Sequence, residues 1–407
     1  MPPETETPTA SPDEDALTRT PSLGWITRLL RIDTTSRDSN LELIDLLAAE
    51  IRAHGVEPVL IPNDEGTKAN LLATFPAADG TTTGGIVLSG HTDVVPVDGQ
   101  DWASEPFVPE VRDGRLYGRG TCDMKGFVGA VAAKVPQLAG TPLREPVHLA
   151  FSYDEEVGCV GAVSLVDEIV RRGLEPRACI VGEPTSMRVI RGHKALTMVR
   201  VTLHGVAAHS SRTPHGVNAI EYAALFVRFV RQVADEFRTA GPFDEHYDVP
   251  FTTATVNQVE GGIAVNTVPA ECTLTFEFRA IAAVDVDATV TRFREEAARI
   301  EALMQEEHPD ARVEVSIGAQ APGLETAEDA DVIALVERLG ADPSLEKVAY
   351  GTEAGLFQRA GIPTVVCGPG DIAQAHAPDE FVELDQLDRC DNLLDNLLDH
   401  LRADLRG

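Results

Sequence analysis

The chain has 407 residues, of which 43% are hydrophobic and 24% charged, so it is long enough for two domains and has the balance of a soluble protein. No apolar run approaches the roughly 18–20 residues needed to cross a bilayer, which argues against a membrane segment. The formal net charge of −31, from 65 acids against 34 lysines and arginines, would repel a phosphate backbone and argues against nucleic acid as a partner.

The N-terminus, residues 1–20, is rich in proline, threonine and acids and lacks the basic start and apolar run of a secretory signal. We therefore expect a disordered acidic tail and a cytoplasmic protein. The six cysteines have no C-x-x-C spacing, so we expect neither a disulfide framework nor a thiolate zinc site.

The next part of the chain alternates between helical and strand-like patterns. Residues 23–53 have a largely helical pattern, which ends at His54-Gly55 before a strand. Short apolar runs bounded by turn residues predict buried strands at 70–75, 85–90, 147–152 and 178–182. Helical patterns at 126–138 and 161–172 lie between them. This alternation predicts an α/β fold with a doubly wound sheet, covered by helices on both faces.

After Glu183-Pro184 the pattern becomes that of an antiparallel sheet with helices. Strand-like runs occur at 195–204, 270–279 and 312–316, and helical runs at 218–237 and 285–304. The α/β pattern then resumes and ends in a helix from about Leu384. We therefore predict an α+β domain of antiparallel strands and two helices at residues 192–317, inserted into an α/β catalytic domain formed by residues 21–191 and 318–407.

Carboxylates and imidazoles stand at five places near the ends of predicted strands, where open α/β sheets carry their sites. Taken singly, each has an ordinary structural explanation. Together they match the needs of two zinc ions about 3.5–4 Å apart, which share one carboxylate and take terminal ligands of their own. Asp123 is our candidate for the shared ligand. His91 and His376 would each give one metal an imidazole, and Glu156 and Glu183 would each give one a carboxylate. Cobalt would also suit these nitrogen and oxygen donors.

Two further acids complete the predicted chemistry. Asp93 lies two residues after His91 on an extended strand, so it can hold the far nitrogen of that imidazole. Glu155 and Glu156 are neighbours and should diverge, which suits one as a metal ligand and the other as a base. We assign Glu155 as the base that takes a proton from the attacking water and passes it to the leaving amine. The alternative is that Asp154, Glu155 and Glu156 form a solvated acidic turn.

The segments Ser89-Gly-His-Thr-Asp-Val-Val-Pro, Gly120-Thr-Cys-Asp-Met-Lys-Gly and Asp154-Glu-Glu resemble, in order and spacing, the signatures of the two-zinc aminoacylase and carboxypeptidase superfamily. The resemblance runs from about Pro21 to the C-terminus. It implies the metal ligands and base named above and a homodimer whose inserted domain dimerises the protein and helps to close the site.

The resemblance also implies roles for residues of the inserted domain. The family's counterpart of His209 reaches into the partner's active site, where it can hydrogen-bond the developing oxyanion. Asn266 and Arg279 are similar to positions that hold substrate. The planar fork of Arg279 suits a substrate α-carboxylate, and a structural ion pair is the alternative for this residue.

Within the superfamily the chain looks most like the acetylornithine deacetylases, through segments such as 182–186, 350–354 and 368–380. The resemblance implies a small N-acyl amino acid as substrate, most simply N-acetylornithine. The desuccinylases carry an arginine in the loop that here contains Thr352 and Glu353. We expect both residues to bind substrate and Glu353 to favour an amine-bearing side chain. A related enzyme for a succinylated, formylated or carbamoylated amino acid or a dipeptide is the alternative, and a non-catalytic metal-binding relative is the alternative from another class.

Overall fold

The structure, a computed structural model, describes residues 16–403. Contacts divide this part of the chain into two compact units. The first unit comprises residues 16–191, 326–345 and 356–403, and the second comprises Gly192–Glu325 and Glu346–Gly355.

A six-stranded mixed sheet forms the centre of the first unit. Its strands are β1 (Val59–Pro62), β2 (Ala69–Phe75), β3 (Ile86–His91), β6 (Val147–Ser152), β7 (Ala178–Val181) and β14 (Thr364–Val366), in the order β1-β2-β6-β3-β7-β14. Strand β2 is antiparallel to both of its neighbours, whereas β6, β3, β7 and β14 pair in parallel. Every residue of β3, β6 and β7 is buried, as expected for parallel strands covered by helices.

Helices and a small sheet complete the part of the first unit that the structure describes. The helices are α1 (Pro21–Leu30), α2 (Leu41–Ala53), α3 (Lys125–Ala133), α4 (Val135–Gly140), α5 (Val160–Arg171), α8 (Asp331–Arg338) and α10 (Leu384–Leu401). The small sheet contains β4 (Glu110–Arg112), β5 (Arg115–Tyr117) and β15 (Phe381–Glu383) in the order β15-β5-β4, and a 3-10 turn spans Ile372–Gln374. Helix α3 is buried on all sides, and a Cβ at Gly129 would lie 2.6 Å from Ile26, so glycine allows α1 and α3 to pack closely.

The second unit is an antiparallel sheet packed with two long helices. The sheet contains β9 (Ala195–His204), β10 (Thr253–Gly261), β11 (Glu271–Ala280) and β12 (Arg312–Ala321) in the order β10-β11-β9-β12, and the helices are α6 (Ala219–Ala240) and α7 (Val286–Glu307). Shorter elements are β8 (Gly192–His193), β13 (Leu324–Glu325) and a 3-10 turn at Ser210–His215; helix α9 (Ala354–Arg359) begins in this unit's second segment. Alternate residues of β9 and β11 are buried, and Phe276 on β11 lies 4.8 Å from Phe293 on α7, measured between ring centroids. The predicted α/β fold with an α+β unit is confirmed.

The structure differs from the predicted elements in several places. The predicted helix at residues 126–138 is two helices, α3 and α4, on either side of Lys134. The helical pattern at residues 23–53 is two helices, because the polar segment 31–40 interrupts it: the Asp33 carboxylate accepts both the backbone N–H and the hydroxyl of Thr35. Short polar side chains of this kind compete with helical backbone bonds. Strand β12 runs five residues past the predicted end, so the predicted domain boundary at residue 317 lies inside a strand.

The predicted tail, residues 1–20, lies mostly outside the described residues, which begin at 16. Within its described end, Leu17 is buried in a cluster with Leu23 and Ile26 of α1. All six cysteines are buried, and none of them forms a disulfide. None of the helices within residues 16–403 combines the length and the apolar character that crossing a bilayer requires.

Candidate metal centre

The candidate ligands come together where parallel strands of the first unit end. His91 is the last residue of β3, Glu156 lies in the loop after β6, and Glu183 lies two residues after β7. These three strands are neighbours in the sheet, so their carboxyl ends share one edge. Asp123 precedes α3, and His376 follows the 3-10 turn at Ile372–Gln374.

His91, Asp123 and Glu183 form a first group of donor atoms. His91 Nε2 lies 2.8 Å from Asp123 Oδ1 and 3.6 Å from Glu183 Oε1. One donor atom from each residue lies within 4.8 Å of the others, and all three side chains are buried. One imidazole and two carboxylates at this spacing can hold a divalent cation.

Asp123, Glu156 and His376 form a second group. His376 Nε2 lies 3.2 Å from Asp123 Oδ2 and 3.1 Å from Glu156 Oε2. Donor atoms of these residues again lie within 4.8 Å of one another, and His376 is the exposed member, with half of its side chain open to solvent. Asp123 therefore faces one group with Oδ1 and the other with Oδ2, which is the arrangement of a carboxylate shared by two cations.

The electrostatics of these groups favour a cation. Burial, followed by repulsion from Asp123, raises the pKa of Glu156 to about 7 and holds the pKa of Glu183 well above its usual range. Burial acts in the same direction on Asp123, but hydrogen bonds from His376 and His91 outweigh it and lower that pKa. Within residues 16–403, no lysine or arginine forms an ion pair with these carboxylates. Hydrogen bonds to these carboxylates in turn raise the pKa of His376 to about 10 and hold the pKa of His91 well above its usual range despite burial. The donors thus fit divalent metal ions, which would take the place of the imidazole protons and neutralise the carboxylates.

The Asp93 carboxylate contacts the loop that carries the two glutamates more closely than it contacts His91. His91 Nδ1 lies 2.9 Å from the backbone oxygen of Asp93 but 3.6 Å from its carboxylate, too far for a hydrogen bond to the latter. The carboxylate instead accepts the backbone N–H groups of Glu155 at 3.1 Å and Glu156 at 3.3 Å, and the Ser36 hydroxyl at 2.7 Å. Asp93 therefore orients His91 through its main chain and the Glu155–Glu156 loop through its side chain.

Glu155 is buried beside the donor groups. Burial, then the neighbouring Glu156 and Asp123, raise its pKa to about 8. Its Oε1 accepts a hydrogen bond from the Cys159 thiol at 3.2 Å. Sequence reasoning missed Cys159, whose only signal was its position four residues after Glu155. A carboxyl with a pKa in this range can accept and release a proton near neutral pH.

Lys68 is a second residue that the sequence did not indicate. Its ammonium group donates to Asp154 at 2.6 Å and also contacts the backbone oxygen of Ser36. Asp154 has a φ of 54° and directly precedes the two glutamates. Lys68 therefore holds the start of the Glu155–Glu156 loop, and the alternative of a freely solvated acidic turn does not fit these contacts.

The other predicted site residues lie in the second unit. His209 is exposed and pairs through its backbone with Thr267, next to the exposed Asn266. Arg279 is about one-third exposed, and its hydrogen bond to a described side chain uses Nε, which donates to Glu277 at 3.1 Å. An ion pair with Glu277 is thus present, and it uses Nε rather than the two terminal nitrogens of the guanidinium.

Thr352 and Glu353 are fully buried in the segment Glu346–Gly355. The Thr352 hydroxyl accepts the backbone N–H of Ala354 at 3.0 Å, at the start of α9. That contact assigns Thr352 a structural task at a helix N-terminus. Contact of either residue with substrate stays a prediction.

Comparison with known proteins identifies the family. The sequence profile of "Peptidase family M20/M25/M40" matches residues 87–400, which is more than half of the chain. The chain belongs to this family. It is also 35% identical, over 90% of its own length and 93% of the relative's, to a protein named acetylornithine deacetylase from Pasteurella multocida (strain Pm70).

Solved structures of M20 proteins have the same fold. An M20 family metallo-carboxypeptidase from Sulfolobus solfataricus superposes with a TM-score of 0.74 at 18% identity, covering 93% of this chain and 98% of that one. A dinuclear metal binding peptidase of the M20 family from Bacillus subtilis superposes with a TM-score of 0.65 at 14% identity, covering 96% and 99%. M20 membership makes this chain a metal-dependent hydrolase.

Proposed function

We propose that this M20 hydrolase cleaves the amide bond of an N-acyl amino acid, with N-acetylornithine as substrate and ornithine and acetate as products. The observation that carries the proposal is the pair of donor groups that share Asp123, with the buried Glu155 beside them. The substrate rests on the similarity to proteins named acetylornithine deacetylase, such as those of Pasteurella multocida and Myxococcus xanthus.

The first unit would hold two metal ions, which we propose to be zinc, with cobalt as a substitute. His91 and Glu183 would hold one ion, Glu156 and His376 the other, and Asp123 both. Bound there, the ions would make a water molecule more acidic and polarise the acyl carbonyl. Imidazole and carboxylate donors of this kind suit zinc and also accept cobalt.

Glu155 is the residue that would move the proton. Its carboxylate would take a proton from the attacking water and later donate it to the leaving amine nitrogen. Burial raises the pKa of Glu155, which supports the second half of this transfer, because a carboxyl with an ordinary pKa would be a poor proton donor near pH 7. Metal ions bound beside it would lower that pKa and so favour the carboxylate that accepts the first proton. Asp93 would keep Glu155 in place by accepting its backbone N–H.

Residues of the second unit would recognise the substrate. Arg279 would bind the α-carboxylate with its terminal nitrogens while Nε stays paired with Glu277. Asn266 and Thr352 would help to position the substrate, and Glu353 would favour its amine-bearing side chain. His209 would hydrogen-bond the oxyanion in the partner subunit of a homodimer. The dimer and a cytoplasmic location belong to the same proposal.

A substrate panel tests the proposal. Metal-loaded protein is assayed for amine release from N-acetylornithine, N-acetylmethionine, N-succinyl-diaminopimelate and a dipeptide. Glu155→Gln serves as the inactive variant, and Glu57→Gln, a change at an exposed glutamate, serves as the matched control. We expect the protein to prefer N-acetylornithine, and we expect Glu155→Gln but not Glu57→Gln to abolish that activity. Activity on another compound would replace the substrate but keep the chemistry, and silence on all four would overturn the proposal.

A further inference from the structure

A fully buried ion pair lies behind the metal ligands of the first unit. Arg119 Nη1 donates to Glu380 Oε2 at 2.7 Å, and both side chains are only 1% exposed. Removing two charges from water costs free energy, and a buried ion pair is often no more stable than apolar residues of the same volume. Stability alone therefore does not explain why this pair is here, and its other hydrogen bonds indicate what it does.

Glu380 binds the backbone that carries the shared ligand. Its Oε1 accepts the N–H groups of Cys122 at 2.9 Å and Asp123 at 3.1 Å, and its Oε2 accepts the N–H of Gly120 at 3.0 Å. Hydrogen bonds to a carboxylate are stronger than those between neutral groups. One buried carboxylate thus holds the main chain of Asp123 from behind, while the Asp123 side chain faces the two donor groups.

Arg119 extends the contacts to the opposite end of the second donor group. Its Nη2 donates to Gln100 Oε1, and Gln100 Nε2 donates to the backbone oxygen of His376 at 2.8 Å. The indole N–H of Trp102 also donates to Gln100 Oε1, at 3.0 Å, which fixes the orientation of that amide. A continuous series of hydrogen bonds therefore joins the backbone of Asp123 to the backbone of His376.

We propose that Gln100, Arg119 and Glu380, called here the support network, are positioning residues that set the separation of Asp123 and His376. The inference rests on the proposed metal centre and adds to it. Because His91 and Glu183 lie at strand ends that the sheet holds in place, the support network acts mainly on the group formed by Asp123, Glu156 and His376. The two metal positions therefore depend on it unequally.

The unequal dependence predicts how variants bind metal. Loss of residues that orient metal ligands typically weakens metal affinity by about 10–100-fold. We expect Glu380→Gln to weaken one of the two binding steps by this factor and to change the other step by less. Gln100→Ala should weaken the same step by a smaller factor, because it breaks only the connection to His376. Gln100 is half-buried, so this variant tests the inference even where Glu380→Gln folds poorly.

The experiment titrates zinc into the metal-free full-length wild type, Glu380→Gln, Gln100→Ala and a control, and follows both binding steps by calorimetry. The control is Lys134→Met, which removes another ion-paired, nearly buried cation of the first unit, paired with Asp395 and away from the metal ligands. The absorption spectrum of the cobalt-loaded proteins reports the geometry of the ligands. The kcat and KM values on the best substrate of the panel show whether the change affects turnover more than binding.

Two outcomes separate the inference from the proposed function. The expected result is two binding steps in the wild type and in Lys134→Met. In the support-network variants one step should be selectively weakened, the cobalt spectrum should change, and kcat should fall by a larger factor than KM rises. If the wild type binds two ions and the variants bind both equally well, the support network has no positioning role although the metal centre stands. If the wild type binds no ions, the metal centre fails and the inference fails with it.

Discussion

The cluster of buried carboxylates predicts that the metal-free protein becomes less stable as the pH rises. A carboxyl whose pKa is higher in the folded state than in the unfolded state stabilises the protein fully below the unfolded pKa and loses that contribution as the pH rises through the folded pKa. For Glu156 this window extends from 4.5 to about 7. Raising the pKa by that amount corresponds to ~3 kcal/mol at the upper end.

The variant Glu156→Gln isolates this contribution. Lys125, whose pKa burial lowers to about 7, contributes with the opposite sign above pH 7, since it loses its charge more readily in the folded state. Both proteins contain Lys125, so its contribution cancels in the difference between them. In the presence of a chelator, the stability of Glu156→Gln relative to the wild type should rise by ~3 kcal/mol between pH 4.5 and pH 8. The variant also loses the contact with His376, whose pKa Asp123 and Glu156 together raise to about 10, and this loss lowers its stability.

Thermal unfolding of both proteins from pH 4.5 to 8.5, with a chelator and again with excess zinc, measures the difference. With excess zinc the wild type should be the more stable of the two proteins at pH 8, because it gains more binding free energy than a variant that lacks one ligand. A difference that stays constant across the pH range in the metal-free proteins would refute the reasoning. It would mean that Glu156 is solvated and does not share a buried, negatively charged cluster.

Three further predictions concern catalysis. Glu155→Gln should lower kcat by about 10²–10⁴-fold, the usual contribution of a general base, while metal analysis still finds two ions per chain. Arg279→Lys should raise KM about 10–100-fold, because lysine cannot make a bidentate contact with the substrate carboxylate. Glu277→Gln should leave KM nearly unchanged. Equal effects of the two variants on KM would indicate that Arg279 only forms a structural ion pair. Glu353→Gln should reduce the preference for N-acetylornithine over N-acetylmethionine by about 10-fold, and unchanged selectivity would exclude a role for this carboxylate in side-chain recognition.

The parts of the site that lie at strand ends could be predicted from the sequence. Short apolar runs bounded by turn residues identify the parallel strands, and parallel strands bring their carboxyl ends to one edge. Residues just after such runs, such as His91 and Glu183, are therefore expected to be close in space although 92 positions separate them. The structure brings both together with Asp123 in one donor group.

The orientation of the side chains around these ligands could not be predicted. The alternation of a strand indicated that Asp93 and His91 point the same way, but the chain turns after His91, and the Asp93 carboxylate meets the backbone of Glu155 instead. Likewise, no local pattern relates Glu380 to Arg119, because 261 positions separate them and their contact depends on the packing of β15 beside β5. Contacts of this kind require the three-dimensional arrangement of several loops.

Asp123 explains why contacts so distant in sequence matter at this centre. A ligand that serves one cation can follow it through small shifts, whereas a carboxylate shared by two cations shortens one contact only by lengthening the other. Its Oδ1 lies 2.8 Å from His91 and its Oδ2 lies 3.2 Å from His376, so movement of its backbone in either direction would unbalance the two groups. Packing holds a backbone against large displacements, but hydrogen bonds to a fixed carboxylate resist small ones. The contacts of Glu380 with three N–H groups around Asp123 provide this restraint. The second group depends on it more than the first, because the same network also reaches the backbone of His376 through Arg119 and Gln100.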